Sequence, residues 1–283
     1  MKQIMRCWCG NENLSEYVAG FSRCEECDTL VSQRNEPTSK ADRAAPADPI
    51  SQSRSDLSER CLPWLRALLS FVLPPANAAE IGCRHGGFAG MLQQAGYQTS
   101  RLELDQLGIG ASTKKSGRRK LDEQSIGAES LDAMALIDVI ESLADPSQIL
   151  ERCLDFLRPD GILLIHTACV TRQTSIAQPG KGMQPLDSGR HRYIFSERSV
   201  ALLCERLDAP FIEFVPTSFG SNEMSLVVSR TPLEHTTPQQ QSAALAKTEN
   251  GRFVQAMLDV DDRRLDLVAK YRNISQQTQR MAG

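Results

Sequence analysis

Ala78-Ala79-Glu80-Ile81-Gly82-Cys83-Arg84-His85-Gly86-Gly87-Phe88 leads from a short apolar strand through a glycine turn into a helix. Gly82 lets the chain turn as it leaves the strand, and Gly86 and Gly87 let backbone approach a ligand with no Cβ in the way. In open α/β sheets, ligands bind outside the carboxyl ends of the strands, and the first strand–turn–helix is the usual cradle. The helix from Phe88 to Ala95 closes at Gly96, a residue suited to the left-handed cap. Gln98 to Leu104 then alternates as a second strand. Glu103, about twenty residues past the turn, stands at the end of that strand, where a carboxylate can accept ribose hydroxyls. Turn, helix and spaced acid together point to an adenosine-bearing cofactor. The G-x-G-x-x-G spacing of a dinucleotide turn is missing, which argues against NAD or FAD.

Outward from that turn, residues 56–230 alternate helix-period and strand-like segments. Asp56 or Ser58 can cap a helix through Leu62, Leu65, Leu68 and Leu69 to about Val72, before Pro74-Pro75. Leu131 to Ile137 is a strand, Pro146 to Leu157 a helix, and Ile162 to Thr167 an apolar strand of the buried, parallel kind. A helix over Ser196 to Leu207 precedes two closing strands, Phe211–Pro216 and Met224–Arg230. Alternating strands and helices predict a parallel sheet covered on both faces, with the closing hairpin as an antiparallel edge. Residues 34–55 carry three prolines and many small polar residues and read as a linker. From Thr231 the chain is a polar loop of about twenty residues and then one helix, roughly Arg252 to Arg280.

The chain has 283 residues, 41% hydrophobic and 24% charged, with a formal net charge of −3. That balance argues against a nucleic-acid binder, which needs concentrated Lys and Arg. The one dense basic run, Lys114-Lys115 with Arg118-Arg119-Lys120, is short. No apolar run approaches the ~20 residues of a membrane span, and the first residues lack the pattern of a signal peptide, so the expected location is the cytoplasm.

Four of the nine cysteines fall in the first 27 residues. Cys7-x-Cys9-Gly10 and Cys24-x-x-Cys27 are two knuckle-like pairs separated by a 14-residue loop. Tetrahedral zinc takes four thiolates from two chain reversals, and such a site is structural because no coordination position stays open. In a cytosolic protein a tight cysteine cluster points to metal rather than to disulfides. Residues 1–33 are therefore expected to form a small zinc-dependent knob. Loose free thiols are the bland alternative.

Several phrases occur in an order that resembles a known family, the class I S-adenosylmethionine-dependent methyltransferases, especially their small-molecule and glycan-modifying branch. They are Glu80 through Gly86; Glu103 at a strand end; Asp138-Val139-Ile140-Glu141-Ser142-Leu143-Ala144-Asp145-Pro146; Leu157-Arg158-Pro159-Asp160-Gly161; and His191-Arg192-Tyr193-Ile194-Phe195-Ser196. Two positions depart from the family pattern: Arg84 replaces the second glycine of the turn, and Ser142 replaces a histidine. The segment Phe21 to Leu30 also resembles the zinc-ribbon start found ahead of some glycan methyltransferases.

The resemblance implies a Rossmann-like domain with a mostly parallel seven-stranded sheet and an antiparallel edge strand. It implies S-adenosyl-L-methionine as cofactor, in contact with Glu80, Gly82, Cys83, Gly86, Glu103, Asp122 and Asp138. Glu80 and the Gly82/Gly86 turn would hold the methionyl and ribose region, and Glu103 the ribose hydroxyls. Asp122 or Glu123, after a third strand, would meet the adenine amine, and Asp138 would sit beside the donor methyl. The implied reaction is methylation of a small molecule, foremost a sugar hydroxyl or glycan. A histidine is the natural base for such an acceptor. His191 and His166 are the candidates, with His85 lining the turn, and the glycine-containing stretch Gly180–Gly189 would serve as a lid. His191 also has a bland alternative, a backbone contact at the start of the next helix. A non-catalytic protein that docks a partner through the knob and the C-terminal helix is the competing function. That helix, with an imperfect apolar stripe through Phe253, Met257, Val260, Leu265, Leu267 and Val268, is expected to pack on a partner, on a second copy or on its own domain.

Overall fold

The computed structural model describes residues 5–18, 20–34, 54–82, 87–104, 126–170, 188, 191–217 and 223–281. The linker 35–53, the turn residues Cys83, Arg84, His85 and Gly86, and the stretch 105–125 lie outside the described residues. That stretch contains the expected third strand, the basic run, Asp122 and Glu123. Apart from Ser188, the expected lid Gly180–Gly189 lies outside them as well.

The main sheet contains β4 (Asn77–Ile81), β5 (Gln98–Leu102), β6 (Leu131–Ile137), β7 (Leu157–Ala168), β9 (Phe211–Val215) and β10 (Glu223–Ser229), in the order β5-β4-β6-β7-β10-β9. The strands β5, β4, β6 and β7 run parallel, and β10 is antiparallel to both neighbours. Six strands are thus present among the described residues, where seven are expected. The antiparallel strand is also not at the edge: the closing hairpin folds back so that β10 inserts between β7 and β9. Burial accounts for this, since β10 is buried along almost its whole length and carries Met224, Leu226, Val227 and Val228, whereas β9 is half-exposed and suits an edge.

Side-chain alternation divides the apolar core in two. On one face Ala133, Ala135, Ile137, Ile162 and Leu164 pack against α1 (Arg54–Leu69), α2 (Gly87–Ala95) and the first half of α6 (Gly251–Met281). On the other face Met134, Leu136, Leu163 and Ile165 pack against α3 (Pro146–Phe156) and α4 (Glu197–Glu205). The result is a three-layer α/β/α domain of Rossmann type.

Local chemistry sets the helix starts. Asp145 accepts from the backbone N–H groups of Ser147 and Gln148, with Pro146 in the first turn, and this opens α3. Ser196 and Ser199 form a reciprocal cap on α4. Thr237 and Gln240 do the same for α5 (Pro238–Leu245), with Pro238 at its start. The polar stretch before α6 is therefore not a plain loop: its Thr-Pro-Gln-Gln-Gln run meets the capping-box pattern that composition alone hides.

The N-terminal strands β1 (Leu14–Val18), β2 (Phe21–Cys24) and β3 (Leu30–Ser32) form a second sheet, completed by β8 (Tyr193–Ile194), in the order β1-β2-β3-β8. This module does not stand apart as a knob. Cys7, Cys24, Cys27 and Val31 lie in the same core cluster as Ile140, Tyr193, Phe195, Val200 and Leu203.

The helix α6 spans 31 residues and has two halves. Val254, Leu258 and Asp261 are buried against the domain, and Arg66 of α1 pairs with Asp261 at 3.2 Å and Asp262 at 2.8 Å. Beyond that point Leu267, Tyr271 and Ile274 are exposed. No helix among the described residues is long and apolar enough to cross a membrane.

Candidate active site at the carboxyl edge of the sheet

The parallel register brings the carboxyl ends of the strands to one line. Ile81 of β4 faces Leu102 of β5 and Leu136 of β6, and Ile137 of β6 faces His166 of β7. Gly82, Glu103 and Asp138 therefore follow their strands at one edge. Between β4 and β6 the chain changes direction of winding, and such a switch point opens a crevice.

Gly82 is required there for two reasons. Its φ of +104° suits glycine alone, and a Cβ would lie 2.2 Å from the Ile137 carbonyl oxygen and 2.3 Å from Val139 Cγ2. Asp138 also takes a left-handed conformation, φ +55°, and its N–H donates to the His166 carbonyl at 3.0 Å. Strain of this kind at a non-glycine residue clusters at functional sites. The fully buried Glu80 turns one carboxylate oxygen to the Ala89 N–H at 2.7 Å, at the positive end of α2. Glu103 is exposed and lies 3.8 Å from Arg101. Cys83, Gly86 and Asp122 lie outside the described residues.

On the β7–β10 side the edge carries a cluster of titratable groups. His166 is 1% exposed, and its ring lies 4.9 Å from that of Trp64, which in turn meets Phe88 edge-on. His166 Nδ1 bonds Ser225 Oγ at 2.8 Å. Its Nε2 lies 3.5 Å from Glu223 Oε2 and 3.8 Å from Asp138 Oδ1. Neither His166 Nε2 nor Glu223 Oε2 closes a hydrogen bond among the described residues, although both atoms are buried. Buried polar atoms in that condition call for a partner. Asp138 is half-exposed and is also approached by Arg60 at 3.8 Å.

Across the sheet, Glu141 is buried in the 3-10 turn Ile140–Ser142 and accepts from Thr167 Oγ1 at 2.8 Å. Burial, and then the charge of Asp138, push its carboxyl up to about 8. The sign of the resulting pH dependence follows from linkage. Between the ordinary carboxyl range and about 8 the folded chain holds a proton that the unfolded chain has released, so stability falls as pH rises through that window. The slope approaches about 1.4 kcal/mol per pH unit for one proton. Glu141→Gln, which keeps an acceptor for Thr167, is expected to flatten that slope in urea titrations across the weakly acidic to neutral range. An unchanged slope would remove Glu141 as its source.

His191 is half-buried and precedes Arg192, whose N–H donates to the Glu141 carbonyl at 2.7 Å. Sequence inspection misses Glu223, Ser225 and Trp64. Glu223 and Ser225 share a face of β10 by period-2 spacing, but only the pairing Ser225↔His166 puts that face on the site.

The four sulfurs of Cys7, Cys9, Cys24 and Cys27 lie within 4.8 Å of one another, with the Cys7–Cys27 and Cys9–Cys24 pairs at 3.6 Å. A disulfide needs about 2.05 Å, whereas four thiolates about 2.3 Å from one zinc ion stand about 3.8 Å apart. Thr29 Oγ1 lies 3.1 Å from Cys27 Sγ and accepts from Trp8 Nε1 at 2.8 Å, which orients the sulfur from outside. The contact with the Cys7 sulfur, helped by Thr29, pushes the Cys27 thiol down against its burial. The same contact, together with burial, pushes Cys7 up.

A family model described as a methyltransferase domain matches residues 53–209, more than half of the chain. The chain belongs to the methyltransferase domain family. Among individual proteins, the ubiquinone biosynthesis O-methyltransferase of Caulobacter vibrioides is 26% identical over 98 residues, 31% of this chain and 39% of that protein. The chain thus spans about two fifths of the length of that curated relative. Solved structures with similar chains include the PH0226 protein of Pyrococcus horikoshii, 17% identical over 68% of this chain and 99% of that one, TM-score 0.45. Another is the 1,6-didemethyltoxoflavin-N1-methyltransferase of Burkholderia thailandensis, 16% identical over 74% and 98%, TM-score 0.43.

Proposed function

We propose that the protein transfers a methyl group from S-adenosylmethionine to a hydroxyl of a small molecule, foremost a sugar or glycan. The observation that carries this is the single edge formed by Gly82, Glu103, Asp138, His166 and Glu223, with a cofactor half at β4–β5 and an acid–base half at β6–β10. The curated relative is named for O-methylation, which favours oxygen as the acceptor atom.

The cofactor supplies a sulfonium methyl that is already electrophilic. The chain's task is to align the acceptor and receive its proton. Glu103 accepts the ribose hydroxyls, the turn opened by Gly82 holds the methionyl end with Cys83 and Gly86, Asp122 meets the adenine, and Asp138 faces the transfer point. Glu223 takes the acceptor proton. His166 positions it, its Nε2 turned toward Glu223 and its Nδ1 tied to Ser225. His191, on the segment that follows β7, borders the acceptor.

The four cysteines hold one structural zinc ion, which the tight convergence of their sulfurs supports. The far half of α6 receives a second copy of the chain. Leu267, Tyr271 and Ile274 stand at successive steps of four and three, the spacing of a helix-pairing seam, and Tyr271 is 74% exposed. Ending the chain after Asp266 removes the exposed half and keeps the buried one. The expected result in sedimentation is a dimer for the full chain and a monomer for the shortened one; monomers in both cases discard the seam.

Activity is tested by following S-adenosylhomocysteine formation against a panel of hydroxylated small molecules and simple glycosides. Glu223→Gln is expected to lower kcat by about 10²–10⁴, the usual range for a general base, with the cofactor KM unchanged. Full activity of Glu223→Gln on an accepted substrate would remove it from the mechanism.

A further inference from the structure

We propose that the four-cysteine module anchors the acceptor wall of the active site, so that metal binding fixes residues 191–196 beside Glu141. This rests on the zinc and methyltransferase readings above and adds what the module does for the reaction.

The strand β8 has a single ladder partner among the described residues, and that partner is β3 of the module. Leu30 faces Ile194 and Val31 faces Tyr193. The Ser32 N–H extends this pairing to the Arg192 carbonyl at 2.9 Å, and the Arg192 N–H continues to the Glu141 carbonyl at 2.7 Å. One residue, Arg192, thus links the module to the turn that carries Glu141. On its other side the segment meets the carboxyl end of β7: Val170 N–H donates to the Phe195 carbonyl at 2.8 Å.

The metal-binding loops also hold the last residue of the wall and the helix α4 that follows it. Ser196 Oγ, the cap of α4, reaches the Cys27 carbonyl at 3.5 Å, and Arg206 donates to the Cys9 carbonyl at 3.2 Å while its guanidinium lies over the Trp8 ring. Arg198 pairs with Asp28, the residue after Cys27, at 3.3 Å.

The module has little apolar filling of its own. Its three strands are 5, 4 and 3 residues long, and its cysteines do double duty as core residues shared with Tyr193 and Phe195. Modules this small depend on their metal to fold. A two-residue strand depends on its ladder partner, and without β3 the segment keeps, among the described residues, only its bonds to Glu141, Ala144, Ala168 and Val170, so loss of metal from the module loosens β8 and the acceptor wall together. Glu80, Gly82 and Glu103 sit at β4 and β5, on the other side of β6, and are spared. The metal is therefore a positioning element for the acceptor half alone.

Hydrogen exchange read by mass spectrometry on the full chain, with and without a zinc chelator, tests this. Metal removal is expected to speed exchange of the amides of 192–195 by at least about tenfold, in step with those of 21–32. The amides of 77–81 and 131–137 should keep their protection, and affinity for S-adenosylhomocysteine should move less than about twofold. Ser32→Pro removes the N–H that reaches Arg192 and leaves the four cysteines in place. It should keep its metal by elemental analysis and still release 192–195. Opening of 21–32 with 192–195 unchanged overturns the proposal, as does a chain that carries no metal and already protects 192–195. Absence of S-adenosylhomocysteine binding throughout sinks the methyltransferase reading and leaves the exchange result to decide the anchor by itself.

Discussion

Gly82→Ala is expected to cost about 3 kcal/mol or more of folding stability and to abolish cofactor binding. Two terms add. The φ of +104° is foreign to alanine, worth about 1–2 kcal/mol. The new Cβ would also press on the Ile137 carbonyl, a backbone atom inside the sheet that no rotamer change can move; overpacking of that kind costs about 1–3 kcal/mol. Relief requires β4 and β6 to part where the crevice opens, so the effect on binding should exceed the effect on stability. Gly90, in the middle of α2, provides the control, because a methyl group added there would meet nothing within 4 Å. Gly90→Ala should be neutral or stabilising by up to about 1 kcal/mol. Urea unfolding of the two variants separates the cases, and equal stability for both would remove the close approach as the reason for Gly82.

The second large effect concerns the metal. Cys24→Ser is expected to drop zinc from about one per chain to none and to lower the melting temperature by about 10 °C or more. Cys24 is fully buried, it lies 3.6 Å from Cys9, and it packs in the principal core rather than in a detached appendage. Binding free energy at such a site is folding free energy, with structural zinc worth about 10–16 kcal/mol in isolated peptides. Much of that is expected to appear here as stability of the β1–β2–β3–β8 sheet. Elemental analysis of the purified protein with a thermal scan of the same sample checks both halves. Metal-free protein with an unshifted melting temperature would show the cysteines to be ordinary core thiols.

The layered α/β architecture is legible in the sequence because its signals there are local. The apolar runs of β6 and β7, the Asp145-Pro146 and Ser196 caps and the glycine turn each act within a few residues. Long-range pairing is not written that way. Nothing in Glu223-Met224-Ser225 says that β10 inserts beside β7, because the segment before it sets no tight-turn register, and with that register hidden, the Glu223–His166 approach is hidden too. The same holds for β8. Two residues with no period of their own become a strand only because Leu30 and Val31 of a distant segment lie alongside. That pairing turns an expected separate knob into a wall of the main domain. The helix α5 escapes a periodicity reading for a different reason: its apolar content is slight, and only its cap, Thr237 with Gln240, marks its start. Its burial of Ala244 and Leu245 comes from tertiary packing against α6.

We propose that one edge of the sheet binds the adenosine cofactor through Gly82 and Glu103. Titration calorimetry of the full chain with S-adenosylhomocysteine tests it without knowledge of the acceptor. The expected result is saturable binding at one site per chain, weakened about 10- to 150-fold by Glu103→Ala, since a hydrogen bond to a charged acceptor is worth about 1.5–3 kcal/mol. Glu213→Ala, a change on the edge strand β9 where the carboxylate pairs only with His235 among the described residues, should leave the affinity unchanged. No heat of binding at millimolar ligand, or equal affinity in the Glu103 variant, would rule out cofactor binding at this edge.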